Sequence, residues 1–479
     1  MKILPDTTLT YDDVLLVPQY SDVDSRRILS TKSWLTKKIA LHMPIVSANM
    51  DVVTESEMAI TMAREGGIGM IHRFMTIAEQ ARQIGRVKKA ESFIVDKPIT
   101  MTEAHTVGDV KRVVDETSTG GILILDKNDK LIGIVSTRDL LFENDDNKPV
   151  TEIMTREVHS AAPDTSLKEA ERLLHEYRVE KLPLVDRDGK VAGLVTLKDI
   201  MKITQFPKAT KDSKGRLAVG AAVGVRDKEM RRVEAALQAG ADCIVVDIAH
   251  GDSHLEIDMI KNIRRHFPEA QIIGGNVATA DGTKRLIDAG VDCVKVGVGP
   301  GSICITRIVA GSGVPQLTAV IECSEAARAS GIPIIADGGI RQPGDVAKAL
   351  AAGAQTVMIG SLLAGTDESP GMIMTRRGHK YKASRGMASL EANIERNKRE
   401  GNDLTQEEVE DYVAEGVEAA VPYRGKAREV LMQLMGGLQS GMSYSGVHTV
   451  EELQQKAIFV RMTGAGLKES GPHDVEVLG

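Results

Sequence analysis

The chain has 479 residues, 42% hydrophobic and 27% charged, with a formal net charge of -7 at pH 7. That is ordinary composition for a folded protein of two or three domains, and it excludes a disordered chain or a broad basic nucleic-acid surface, leaving anion binding to local sites. The four cysteines, Cys243, Cys293, Cys304 and Cys323, match neither a zinc site nor a disulfide framework, so a reducing, cytoplasmic setting is expected.

The amino-terminal run Met-Lys-Ile-Leu-Pro-Asp has no signal-type apolar core, and no apolar run approaches the roughly 18 residues of a membrane span. Two short apolar runs follow, Pro44 to Asn49 and Gly67 to His72, each read as a strand. Then the chain repeats itself. Gly121-Ile-Leu-Ile-Leu-Asp-Lys-Asn-Asp-Lys-Leu-Ile-Gly-Ile-Val-Ser136-Thr-Arg-Asp139 recurs as Leu182-Pro-Leu-Val-Asp-Arg-Asp-Gly-Lys-Val-Ala-Gly-Leu-Val-Thr196-Leu-Lys-Asp199. A strand, a turn, a strand and a helix start, used twice, imply a duplicated module over about residues 92–204. Ser136 with Asp139, and Thr196 with Asp199, have the spacing of a helix capping box. They also resemble the ribose-contacting positions of cystathionine-β-synthase (CBS) domains, a resemblance that implies ATP or GTP as ligands of this module.

From Leu217 onward, short β-branched runs alternate with amphipathic stretches. The runs are Leu217 to Val223, Cys243 to Asp247, Gln271 to Asn276, Cys293 to Gly297, Pro333 to Asp337 and Thr356 to Gly360. Segments such as Lys228 to Ala239 and Ala278 to Ala289 end on Ala-Gly, as helices closed by glycine do. This is the rhythm of βα units, and with the two early strands it predicts an α/β fold, a (β/α)8 barrel interrupted by the duplicated module. The expected division is 1–91 and 205–479 for the barrel and 92–204 for the insertion. In such a barrel the strand ends Asp247, Asn276, Gly297, Asp337 and Gly360 converge on one face, where sites are built.

One loop carries a reactive group. In Val296-Gly-Val-Gly-Pro-Gly-Ser-Ile-Cys304-Ile-Thr-Arg307, glycine occupies every second position before a single cysteine. Those glycines permit a tight loop that a ligand or ion can approach closely. A nucleophilic thiol at the carboxyl end of a strand is the expectation; an inert buried thiol, the usual fate of free cysteine, is the alternative.

The ordered series Leu9-Thr-Tyr-Asp-Asp-Val-Leu-Leu-Val-Pro18, Gly299-Pro-Gly-Ser-Ile-Cys304, Ile335-Ala-Asp-Gly-Gly339, Gly360-Ser361, Gly386-Met387, Glu415-Gly416 and Ala465-Gly-Leu-Lys-Glu-Ser470 resembles the IMP dehydrogenase/GMP reductase family along nearly the whole chain. The resemblance implies that Cys304 attacks C2 of a purine nucleotide, with Thr306 and Glu415 moving protons. It implies substrate contacts at Met50, Ser302, Asp337, Gly339, Gly360, Ser361, Gly386, Met387 and Gly416, with phosphate on Ser302, Gly339, Gly360 and Ser361, ribose on Asp337 and the base against Met387 and Gly416. Cofactor contacts fall to Asp247, Asn276, Gly297 and Gly299, although Asp247 and Asn276 could instead cap helices. A monovalent cation, potassium, is implied on Gly299, Gly301 and Cys304 together with Glu469, Ser470 and Gly471 of a neighbouring subunit. The implied assembly is a homotetramer or homo-octamer, with no nucleic-acid or membrane partner.

Both family activities share the thioimidate at C2, and the departures in this chain lean toward GMP reduction with NADPH. The segment Ala388 to Asp403 lacks the Arg-Tyr pair with which the dehydrogenases activate water; Arg396 and Arg399 have no tyrosine beside them, Glu400 follows Arg399, and the next tyrosine is Tyr412, in an acidic stretch from Thr405 to Val413 read as helical. Asn49, Ser384 and Ser443 are further departures from the dehydrogenase pattern. Arg307 to Gln316 and the length of the covering segment lean the other way, to IMP dehydrogenase with NAD. A catalytically dead nucleotide sensor is a third reading, against which Cys304 and its glycine loop stand.

Overall fold

The computed structural model describes residues 7–91, 94–95, 97–117, 119–399, 405, 409 and 411–472, except for the side chains of Lys202, Ile203, Thr204, Arg396 and Arg399. The chain divides into two compact units, one of residues 1–90, 208–212 and 217–479, the other of residues 91–207 with 213–216. Among the described residues no helix is long and apolar enough to cross a membrane.

The larger unit is a closed parallel barrel, the TIM-barrel fold. Its strands are β1 (Ile45–Ser47), β2 (Ile68–Ile71), β3 (Val219–Val223), β4 (Cys243–Asp247), β5 (Ile272–Val277), β6 (Cys293–Val296), β7 (Ile334–Asp337) and β8 (Thr356–Ile359). They pair in the order β3-β4-β5-β6-β7-β8-β1-β2. Closure comes from β2 lying on β3, with Val219 opposite Gly69, while β8 returns to β1 with Val357 opposite Ile45. The strands read as continuous apolar runs because both faces are covered, by packed barrel interior and by helices.

Helices α1 (Ser56–Arg64), α2 (Ile77–Ala90), α3 (Met230–Gln238), α4 (His254–His266), α5 (Ala280–Ala289), α6 (Gln316–Arg328) and α7 (Pro343–Ala351) accompany these strands. Several starts are capped by a local hydroxyl: Ser253 accepts from the Glu256 N–H and Thr279 from the Gly282 N–H. Helix α5 stops at Gly290, whose φ of 102° is left-handed. A longer helix, α8 (Ala427–Tyr444), lies on α7 so closely that a Cβ at Gly437 would fall 2.2 Å from Pro343 Cβ; only glycine fits that crossing.

The smaller unit contains the repeat as two similar halves. Strands Thr100–Thr102, Gly121–Leu125 and Leu131–Ser136 form one sheet, and Ile94–Val95, Lys181–Val185 and Val191–Thr196 the other. Each half has its own core, Ile122, Ile124, Val135 and Leu140 in the first and Leu182, Leu184, Val195 and Ile200 in the second. At each helix start the capping pair is formed. Asp139 Oδ2 accepts from the Ser136 N–H at 2.7 Å and from its hydroxyl at 2.7 Å; Thr196 donates to Asp199 at 2.6 Å and accepts from the Asp199 N–H at 3.2 Å.

Candidate active site

The loop that leaves β6 places its cysteine apart from the other three. Cys243, Cys293 and Cys323 are buried and Cys304 is only half-buried. Burial pushes the thiols of Cys243 and Cys293 well above the usual range and that of Cys323 to about 11, so those three are held as neutral packing groups.

Around Cys304 the polar groups form a chain. Its Sγ lies 3.1 Å from Thr306 Oγ1, and the Thr306 hydroxyl donates to Glu415 Oε2 at 2.7 Å. Glu415 is distant in sequence, and main-chain bonds hold it there. The Ile305 N–H donates to the Glu415 carbonyl at 2.9 Å, the Val417 N–H to Ile303 at 3.1 Å, and the Glu415 N–H to Ala388 at 3.1 Å. Gly386 and Gly416 meet face to face: a Cβ on Gly416 would lie 3.1 Å from Gly386 Cα. Beside them, Arg385 Nε donates to Asp51 Oδ2 at 2.9 Å and its guanidinium pairs with Glu395 at 2.5 Å, linking the segment to Asn49 and Met50.

The strand ends supply a second polar group. Asp337, closing β7, receives Lys295 Nζ at 2.9 Å and Asn276 Nδ2 at 2.9 Å, both on Oδ2. Oδ1 takes no hydrogen bond from the described residues and can accept from a ligand. Burial works against the charge on Lys295, but the carboxylates of Asp337 and Asp247 outweigh it and raise the ammonium above its usual range. Asn276 is braced internally: Nδ2 also donates to the Gly297 carbonyl at 2.7 Å, and Oδ1 accepts from Lys295 and keeps a second lone pair. It braces Asp337 and lines the recess wall together with Asp247.

Two adjoining cavities open here. One of about 600 Å³ is lined by Ser302, Gly339, Gly360 and Ser361, with Tyr11, Arg341 and Ser384. The other, about 450 Å³, holds Cys304, Thr306, Glu415, Asp247, Asn276 and Arg73, together with Gly297, Gly299, Gly386, Met387 and Gly416. Both are bounded by Met50, Pro300, Gly301, Ile303 and Asp337, so they are two lobes of one recess, with the cysteine in the second lobe next in sequence to the shared Ile303. All the substrate and cofactor positions expected from the sequence are therefore brought to one place. A larger groove of about 760 Å³, lined by Trp34, Lys37 and Arg328, lies at the opposite end of β7 and β8.

Other expected positions lie elsewhere. Glu469 and Ser470 are exposed at the end of the short helix Gly464–Glu469, with Gly471 beyond it. Among the described residues no cluster of three or more histidines, cysteines or carboxylates could hold a metal, so a cation here would depend on carbonyls. In the covering segment, the helix spans Leu390–Arg399; the side chains of Arg396 and Arg399, and the whole of Glu400, lie outside the described residues. Asp411 to Val413 are not helical as expected, while Val409 is and the rest of that stretch, apart from Thr405, lies outside the described residues. The Tyr412 hydroxyl donates to the Ala388 carbonyl at 3.3 Å.

Three participants were not singled out from the sequence. Lys295 had a signal, a lysine inside Cys-Val-Lys-Val, which no buried strand carries without a partner. Arg73, whose Nε is 3.8 Å from Asp247 Oδ2, and Gln316, which donates to the carbonyls of Val296 and Asp337 at 2.9 and 3.2 Å, act through contacts no local pattern reveals.

With the site described, comparison with known proteins is direct. A family model for the IMP dehydrogenase / GMP reductase domain matches residues 8–473. The IMP dehydrogenase of Nitrosopumilus maritimus is 52% identical over 468 residues, covering 98% of this chain and 98% of that protein. That of Aquifex aeolicus is 52% identical over 472 residues, covering 98% and 96%. Among solved structures, a cysteine-to-alanine GMP reductase from Trypanosoma brucei in complex with guanosine 5′-monophosphate superposes with a TM-score of 0.88 at 45% identity, covering 98% of each chain. The same organism's GMP reductase in complex with guanosine 5′-triphosphate gives 0.76 at 41%, covering 96% and 98%. The chain thus belongs to the IMP dehydrogenase/GMP reductase family and is an NAD(P)-dependent purine-nucleotide oxidoreductase.

Proposed function

We propose that the protein is a GMP reductase, converting GMP, NADPH and two protons to IMP, NADP⁺ and ammonium. The phosphate sits in the lobe of Ser302, Gly339, Gly360 and Ser361, where main-chain N–H groups need no large net charge, and Asp337 Oδ1 takes the ribose hydroxyls. Met387 and Gly416 line the base above Cys304. The chain of contacts then divides the work. Thr306 accepts the Cys304 proton as it passes its own to Glu415, and the thiolate adds to C2. The proton returns through Thr306 to the 2-amino group, which leaves as ammonia and gives the thioimidate. Asp247 and Arg73 in the second lobe would hold NADPH, whose chemistry when bound would be donation of the hydride that ends at C2. Cys304 then departs as thiolate.

The observation that carries the direction is the segment over the site. Between Ala388 and Asp411 no tyrosine stands beside an arginine, and Tyr412 is committed to the Ala388 carbonyl. A hydrolytic step has no evident base there, whereas ammonia release needs only the Thr306–Glu415 pair. The buried Asn49 in the second lobe and Ser384 in the first support the same reading. The alternative, IMP dehydrogenase with NAD, is favoured by the names of the 52% identical relatives. Absorbance at 340 nm decides between them: with GMP and NADPH the signal falls, and a rise with IMP and NAD alone overturns the assignment.

The duplicated unit is proposed to be a CBS pair with ATP or GTP at Ser136, Asp139, Thr196 and Asp199; the triphosphate-bound Trypanosoma brucei relative supports a purine triphosphate effector. Carbonyls of Gly299, Gly301 and Cys304, completed by Glu469, Ser470 and Gly471 of another copy in a tetramer or octamer, suit a hard monovalent cation such as potassium. Gly301 O already accepts from the Cys304 N–H at 3.1 Å and keeps a second lone pair for it.

A further inference from the structure

We propose that Arg307 is the positioning residue of the cysteine loop, tying its two ends together so that Cys304 is held in place against the purine. The loop runs from Gly297 to Pro315, between β6 and α6, and five of its residues are glycine. Gly299, Gly311 and Gly313 have φ of 84°, 64° and 151°. Such a segment has little rigidity of its own. Hydrophobic burial does not supply it either, since Ile308 is 84% exposed.

What spans the loop is one side chain. Arg307 Nη2 donates to the Val298 carbonyl near the entry at 3.3 Å and to the Val314 carbonyl near the exit at 2.6 Å. Its stem fills the space left by two glycines: a Cβ on Gly299 would lie 2.6 Å from Arg307 Cγ, and one on Gly313 would lie 2.8 Å from it. Arg307 belongs to the single turn Thr306–Val309, so the pin issues from the residue after Thr306. On the other side the loop is held by main-chain bonds to Glu415 and Val417. Arg307 therefore braces from within what that segment braces from outside. A guanidinium can bridge two carbonyls in a fixed plane, and an ammonium does so less well.

The proposal rests on Cys304 being the nucleophile and is indifferent to reaction direction. Its test compares wild type, Arg307→Lys and Arg307→Met in the full chain, reading kcat, KM for the nucleotide, and deuterium uptake of peptides across 298–314. Arg307→Met is expected to lower kcat about 100-fold, as misplacement of a reacting group does, with a smaller rise in KM, since Arg307 also lines the lobe of Ser302 and Gly339, and with faster exchange confined to the loop. Arg307→Lys should fall between. Wild-type kcat in either variant, or unchanged exchange in the loop, overturns the proposal. Should Arg307→Met fail to fold, the same readings on Arg307→Lys decide. If wild type turns over neither GMP nor IMP, the functional reading fails while the exchange data still judge Arg307.

Discussion

Carboxylates follow strand ends in both units, but they meet different partners. In the duplicated unit, Asp139 and Asp199 turn back to the hydroxyl three residues earlier and complete a helix cap. In the barrel, Asp337 is bound by Lys295 and Asn276 from two other strands, and Glu415 reaches Thr306 across 109 positions of chain. A local cap engages one carboxylate oxygen within its own turn. The long-range pairs hold a buried charge and still present an oxygen to the recess. A local partner thus closes a helix cap, whereas partners gathered from afar by the barrel build the recess around the cysteine.

Substitutions can break that contrast. Glu415→Gln keeps the shape but cannot carry the proton, and should lower kcat roughly 100- to 1,000-fold while nucleotide binding persists; steady-state kinetics with equilibrium binding separate the two. Lys295→Met removes the cation from a buried network and leaves Asp337 uncompensated, which costs about 3 kcal/mol and should weaken nucleotide binding as well, seen in denaturant unfolding and in KM. By contrast, Ser136→Ala should cost only about 1 kcal/mol, the worth of one cap, read in thermal unfolding of the smaller unit, and should weaken its proposed nucleotide.

The smallest effect sharpens the picture through pH. Glu256 is fully buried, accepts from the Gly275 N–H at 2.6 Å, and burial raises its carboxyl well above the ordinary value. A carboxyl whose folded-state pKa is raised binds a proton more readily folded than unfolded, so its contribution to stability declines as pH rises from the unfolded value toward the folded one. Glu256→Gln should therefore flatten the fall in Tm above pH 4.5 (the unfolded-state value), and a steeper fall in the variant would contradict this.

Legibility followed the same division. The barrel strands were visible because burial on both faces demands uninterrupted apolar runs, and the helix ends because glycine and hydroxyl caps act within four residues. The capping pairs of the repeat were readable for the same reason. The exposed thiol of Cys304 could be read from its glycine loop; Thr306 and Glu415 could be attached to it only through family resemblance, and nothing local draws Glu415 to the cysteine loop. Asn276 illustrates the limit: a strand-end amide shows nothing in one dimension of the partners Gly297, Lys295 and Asp337 that orient it. The helical reading of Asp411 to Val413 failed because composition cannot register the main-chain bonds by which the next residues, Glu415 and Val417, join Ala388 and the cysteine loop.

The central claim, covalent attack by Cys304 on the purine ring, is tested most directly by acid-quenching the enzyme during turnover and mapping nucleotide-modified peptides by mass spectrometry. A purine adduct on the peptide containing Cys304, absent in Cys304→Ala, is the predicted result. Sustained turnover by Cys304→Ala, or an adduct carried by any other residue, would contradict it.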